Sequence, residues 1–248
     1  MAREIDKDPW AALRNLTAAR IGLKRSGASL ATQPLLEFRL AHARARDAVH
    51  EPLDEARLLA DLQKLGRPVI GVASAAHDRQ NYLMRPDLGR ALSDAGALTK
   101  QAGAYDVAFV VTDGLSARAV QAHAPPLLAA ALPALTDNWK IAPLVFARFG
   151  RVALGDAIAQ ALGATIVVML IGERPGLSAP DSMGAYLTWQ PGAATTDAKR
   201  NCISNIRPEG ISYADAAFKL VHMLRAMRAQ RLSGVRLKDE SDRLMIGP

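Results

Sequence analysis

Val107-Ala108-Phe109-Val110-Val111-Thr112-Asp113-Gly114-Leu115-Ser116 runs from an unbroken apolar segment straight into a polar turn that contains glycine. An apolar run without polar interruption is what a strand covered on both faces requires, and that is the condition of a parallel sheet. Working outward, Val69 to Ala73, Leu144 to Ala147 and Ile166 to Leu170 repeat the pattern. Between the runs lie Leu88 to Gln101, Ser116 to Ala134 and Val152 to Leu162, each long enough for a crossover helix. Parallel strands need such crossovers, so the alternation predicts an α/β fold with a doubly wound, mainly parallel, Rossmann-like sheet. Ligands of these sheets sit beyond the carboxyl ends of the strands. There the polar residues gather, at Thr112 to Ser116 and again at Ile171-Gly172-Glu173-Arg174-Pro175-Gly176.

On the N-terminal side the chain reads as helix after helix. Asp8-Pro9-Trp10 places an N-cap before a proline at the first helical position, and Gly22 and Ser26-Gly27 interrupt the helix begun there. Thr32-Gln33-Pro34 reopens a helix whose Leu35, Leu36, Leu40, Ala43 and Val49 recur at steps of three or four between arginines. A further helix is expected from Asp54 to Leu65, ended by Gly66 and Pro68. On the C-terminal side Ala185 to Trp189 reads as a strand and Asn201 to Pro208 as a polar, turn-rich segment. The last helix is expected over Tyr213 to Arg231, with Ala217, Leu220, Val221, Leu224 and Met227 inward. The residues after Gly234 look too charged for core. The predicted organisation is a helical N-terminal region over 1–66, an α/β domain over 67–234 and a charged tail over 235–248.

Composition narrows the classes. The chain has 248 residues, half of them hydrophobic but only 5% aromatic, and a mean hydropathy of +0.03, which suits a helix-rich globule. Cys202 is the single cysteine, so no internal disulfide is possible and a reducing cytoplasm is the expected setting. The apolar stretches are too short to cross a bilayer, and the charged start lacks the apolar centre of a secretory signal. The net charge of +7 leans to both ends without forming a basic tract or an aromatic-basic stacking pattern. Neither a membrane nor a nucleic acid is the expected partner.

The common catalytic motifs are missing. Gly71-Val72-Ala73-Ser74-Ala75 stands where a dinucleotide fingerprint would follow the first strand, and neither a phosphate-binding P-loop nor a serine elbow occurs. Cys202 has no histidine at a spacing that would make His77, His123 or His222 its base. Glu173 can serve as a general base, as a ligand-facing acceptor or as a surface carboxylate. Asp113-Gly114 reads as a turn, with Ser116 the N-cap of the next helix.

Several strings, taken in order, resemble the light chain of ethanolamine ammonia-lyase. They are Leu16 to Gly22, the LLEFRLAHARARDAV string of Leu35 to Val49, Tyr82-Leu83-Met84-Arg85-Pro86-Asp87-Leu88-Gly89-Arg90, Thr112 to Ala117, Phe149-Gly150-Arg151-Val152-Ala153-Leu154-Gly155-Asp156, Ile171 to Gly176, and Asn201 to Asn205. The resemblance implies a small subunit that binds part of adenosylcobalamin within residues 67–234. It also implies a hetero-oligomer with a heavy chain that holds ethanolamine and releases acetaldehyde and ammonia by a radical route. By the same resemblance Val152, Glu173 and Cys202 are cofactor contacts, and no catalytic residue and no metal ligand is expected in this chain. The chain lacks the Asp-x-His-x-x-Gly string that offers histidine to cobalt in another cobalamin-binding family, which agrees with the cofactor keeping its own benzimidazole. The chain begins almost at the helical part, without the long extension some relatives use for packing into a bacterial microcompartment, which speaks against encapsulation; the expected setting is the cytoplasm, with a microcompartment as the alternative. The alternative from a different class is a stand-alone corrinoid- or nucleotide-binding module without catalysis.

Overall fold

The computed structural model describes residues 9–17, 19–135 and 138–241. The expected cap Asp8 and residues 242–248 of the tail lie outside the described residues. Along the chain come α1 (Ala11–Arg14), the short hairpin of β1 (Arg25–Ser26) and β2 (Ser29–Leu30), then α2 (Thr32–His50) and α3 (Glu55–Gln63). The central part alternates β3 (Val69–Ala73), α4 (Arg79–Met84), α5 (Gly96–Thr99), β4 (Tyr105–Thr112), α6 (Ala117–Ala131), β5 (Leu144–Arg148), α7 (Leu154–Leu162) and β6 (Ala164–Gly172). It closes with β7 (Met183–Trp189), β8 (Arg200–Ile206) and α8 (Tyr213–Gln230).

Six strands form one mixed sheet in the order β3-β5-β4-β6-β7-β8. The first four are mutually parallel, whereas β7 runs antiparallel to β6 and β8 antiparallel to β7. Alternate residues of β4 and β6 feed two cores, which is why these strands read as continuous apolar runs. On one face Val107, Phe109, Val111, Ile166, Val168 and Leu170 pack with α3, α6 and α8, and Leu58 and Leu62 of α3 are fully buried there. On the other face Ala108, Val110, Val167 and Met169 pack with Leu98 of α5 and Leu154, Ile158 and Leu162 of α7. The chain is therefore a mixed α/β protein with helices on both faces of its sheet.

Four segments depart from expectation, each for a local reason. The first is the N-terminal region, where α1 is a single turn and a hairpin replaces further helix. Gly27 there has φ of +61°, which lets the two-residue link Gly27-Ala28 turn the chain back. The second is the crossover Leu88 to Gln101, which is not one helix. A 3-10 turn at Leu88–Arg90 precedes α5, and Ser93 gives both its N–H and its hydroxyl to the Ala73 carbonyl. Tertiary bonds to β3 override helix propensity here. The third is the segment Asn201 to Pro208, whose first part is β8, with Ile203 and Ile206 buried in the larger core. The fourth is the tail, where Leu237 is also core, because Asn201 accepts from Gly234 N–H at 2.6 Å and donates to the Leu237 carbonyl at 3.0 Å. That clamp swings Leu237 inward despite the charges around it.

Candidate functional site

A polar knot at the carboxyl ends of β3, β4 and β5 positions the site. Phe149, just after β5, has φ of +55°, an uncommon conformation for a residue with a side chain. Its N–H donates to Asp113 Oδ1 at 2.7 Å, and its carbonyl accepts from the Ser74 hydroxyl at 2.8 Å. Gly150 N–H donates to Thr112 Oγ1 at 2.9 Å, and a Cβ at position 150 would stand 2.6 Å from that oxygen. The turn therefore needs glycine. Asp113 thus holds a turn rather than a ligand, and Ser116 caps α6 by accepting from Ala119 N–H. Burial pushes the Asp113 carboxyl up to about 6, while the Phe149 N–H and Arg79, 3.9 Å away, work in the opposite direction.

Past this turn the backbone presents Arg151, Val152 and Ala153 just before α7. Arg151 N–H donates to the Gly89 carbonyl at 2.7 Å, and its Nη2 donates to the Tyr82 carbonyl at 2.9 Å. Its guanidinium lies over the Tyr82 ring, 4.2 Å from the centroid. Burial also raises the Tyr82 phenol, to about 12.

These residues form one wall of a cavity of about 380 Å³, which Pro86, Arg90, Tyr186, Arg200 and Cys202 complete, with Asp197 also lining it. Tyr186 of β7 and Cys202 of β8 are cross-strand partners, so their side chains share a face. Burial first, then the charge of Cys202 and the hydrogen bond given to it, raises the Tyr186 phenol. The Cys202 thiol is raised too, by burial first and by the charge of Glu173, against the bond from Tyr186. Behind them Arg200 donates to both oxygens of Asp156 on α7, at 2.8 and 2.7 Å, and to Thr188 Oγ1 at 3.1 Å. Asp156 foremost raises the Arg200 pKa, with burial opposing.

Of the residues singled out from the sequence, Val152 and Cys202 meet in this cavity. Glu173 stands beside it and does not line it: its carboxylate accepts from Asn205 N–H at 3.3 to 3.4 Å and its charge acts on Tyr186 and Cys202. A Cβ at Gly184 would lie 2.9 Å from Glu173 Oε1, so the bare strand position lets the carboxylate fold over β7. Arg90, Arg151, Tyr186 and Arg200 were not singled out. The first two lay within the strings around Gly89 and Gly150, and Tyr186 lay inside a predicted strand, but only the three-dimensional arrangement aims them at one space.

Among the described residues no histidine lines the cavity with Cys202. His123 on α6 and His222 on α8 belong to the opposite face of the sheet, and His123 is tied through Nδ1 to the Tyr213 hydroxyl at 2.8 Å. A wider cleft of about 620 Å³ lies at the other end of the parallel strands, lined by residues such as Tyr105, Trp139 and Arg228, and holds none of the singled-out residues. Among the described residues no three His, Cys, Asp or Glu converge as metal ligands, and no helix is long and apolar enough to cross a membrane.

A family model described as the ethanolamine ammonia-lyase light chain matches residues 7–238. The chain belongs to this family. Among similar proteins, an ethanolamine ammonia-lyase small subunit from Xanthomonas campestris pv. campestris is 53% identical over 249 residues, covering 97% of this chain and 91% of that protein. One from Pseudomonas fluorescens is 52% identical, covering 95% and 88%, and one from Ralstonia nicotianae 49%, covering 96% and 91%. As a member of the light-chain family the protein is a small-subunit component of a lyase complex.

Proposed function

We propose that this chain holds part of adenosylcobalamin as the small subunit of an ethanolamine ammonia-lyase. The heavy chain binds ethanolamine, and the complex converts it to acetaldehyde and ammonia. Family membership supports the reading, and one observation carries it to the residues. Val152, before α7, and Cys202, on β8, come from separate parts of the chain and line one cavity. The residues fit such a ligand. Pro86, Val152 and Ala153 offer apolar surface to a macrocycle, while the Tyr186 hydroxyl and the Glu173 carboxylate suit amide side chains at its fringe. When bound, the cofactor supplies radical chemistry through its cobalt–carbon bond, which no side chain provides.

This chain's own part is to bind and orient. The knot of Asp113, Thr112 and Ser74 makes the wall rigid, and the Arg200–Asp156 pair fixes β8 to α7. The parallel strands with helices on both faces are read as a Rossmann-like, doubly wound cradle within residues 67–234. Residues 1–66 form the surface toward the heavy chain, on the strength of Leu16, Leu36 and Leu40, exposed at 81%, 54% and 53%. A single reduced cysteine suits the cytoplasm.

The test is corrinoid uptake by the co-expressed heavy and light chains. Val152→Trp and Cys202→Trp, which fill the cavity, should each weaken uptake about tenfold or more with the complex still assembled. Undiminished uptake by both variants would remove Val152 and Cys202 from the site.

A further inference from the structure

The cavity carries positive charge that no carboxylate among the described residues pairs with, at Arg90 and Arg151. Arg90 and Arg151 enter it from separate segments, the 3-10 turn Leu88–Arg90 and the turn after β5. Arg151 spends Nη2 on the Tyr82 carbonyl, yet its Nε is buried with no hydrogen-bond partner among the described residues. Arg90 is exposed, and among the described residues its guanidinium makes no ion pair or hydrogen bond. The third arginine is different. Arg200 is satisfied by Asp156 and Thr188, and Asp197, the one carboxylate among the described residues that line the cavity, sits 3.4 Å from its Nε. Two guanidinium groups therefore remain without a carboxylate beside an apolar wall of Pro86, Val152 and Ala153.

A planar guanidinium fork matches the paired oxygens of a phosphate, and a half-buried donor without an acceptor gains most from such a partner. Taken together with the cofactor reading above, on which this step rests, the anion is the phosphodiester that links the corrin to its nucleotide base. We propose that Arg90 and Arg151 seat this singly charged phosphodiester, so that the chain selects corrinoids that carry the nucleotide arm.

The heavy and light chain complex is titrated with cyanocobalamin and with dicyanocobinamide, which lacks the phosphodiester and base, and binding is read by visible absorbance after dialysis. Arg90→Gln and Arg151→Gln should each weaken cyanocobalamin binding about tenfold to a hundredfold while changing dicyanocobinamide binding by less than about twofold. Arg90→Lys should recover part of the loss, and rising salt should weaken cyanocobalamin alone. If Arg151→Gln does not assemble, exposed Arg90→Gln carries the test by itself. Equal losses for both corrinoids, or none for either, would overturn the phosphodiester seat while wild-type uptake leaves the cofactor reading standing. Failure of the wild-type complex to bind either corrinoid would refute the cofactor reading itself.

Discussion

The parallel and antiparallel halves of the sheet are built to different rules. In β4 and β6 both faces are covered, by α3, α6 and α8 on one side and α5 and α7 on the other. In β7 and β8 one face is fully covered and the other only in part, since Thr188 is buried and Tyr186 half-buried there while Cys202 is exposed. Ala185, Leu187 and Ile203 point into the larger core, whereas Tyr186 and Cys202 point to the other side, where Tyr186 packs at the edge of the smaller core and Cys202 lies beyond it, exposed. A cavity forms where the helical cover thins, with the parallel half as wall and the partly covered antiparallel half as floor. Arg200 is the tie between them, since its side chain is only 4% exposed and its partner Asp156 sits on α7. Arg200→Leu should therefore show the largest effect, about 3–5 kcal/mol lost in denaturant unfolding, because it strands a buried carboxylate. The double variant Asp156→Leu/Arg200→Leu should regain much of this. A loss below about 1 kcal/mol for Arg200→Leu would mean the halves do not depend on that pair.

The wall has its own signature in pH. Asp113 binds a proton more readily in the folded chain, at about 6 against an ordinary 3.8, because burial disfavours its charge. Between those values the folded state holds more protons than the unfolded one, so stability falls as pH rises through about 4 to 6 and levels off above. At ~1.4 kcal/mol per pKa unit the drop is about 3 kcal/mol. Unfolding of wild type against Asp113→Asn across pH 4 to 7 isolates this group, and the wild type should lose ground to the variant by about that amount. A constant difference over the range would show that the knot does not hold a reluctant charge.

Glycines sharpen the contrast further. A Cβ at Gly172, in the parallel half, would collide with the backbone oxygen of Ser116 and stand 2.7 Å from that of Asp113. At Gly184, in the antiparallel half, the closest neighbour is the carboxylate end of the long Glu173 side chain, not backbone. Gly172→Ala should cost about 1–3 kcal/mol in thermal unfolding, and Gly184→Ala below about 1 kcal/mol while displacing the Glu173 carboxylate. Equal costs would dissolve the distinction between wall and floor.

The same contrast governs what could be read from sequence. Val107 to Val111 and Ile166 to Leu170 were legible because burial on both faces leaves an unbroken apolar run. Strand β8 was not. Its pairing with β7 slips at an irregularity, Asn205 adopts φ of +59°, and Ile203 and Ile206 reach the same core three residues apart. Period-two alternation is erased there, and the polar residues left over look like a turn. Leu88 to Gln101 misled in the other direction, since its helix-compatible composition yields to the Ser93 bonds on β3. For the site, the resemblance pointed to Val152, Glu173 and Cys202, but nothing linear shows that Arg200 must reach across to Asp156.

The smallest effect belongs to Cys202, and it separates packing from chemistry on the open floor. Its residue is exposed, yet the thiol lies against Tyr186 and near Glu173, and burial with that negative charge keeps it protonated above the ordinary thiol range. At neutral pH the reactive thiolate is then scarcer than in a free cysteine, and among the described residues no imidazole lines its cavity to take the proton. Alkylation of the folded chain by iodoacetamide at pH 7 should be slower than that of the urea-unfolded chain, and Cys202→Ala should change stability by no more than about 0.5 kcal/mol. Rapid alkylation of the folded chain would reveal an activated nucleophile on β8, and the open face would have to be reconsidered as a place of covalent chemistry rather than a surface on which a ligand rests.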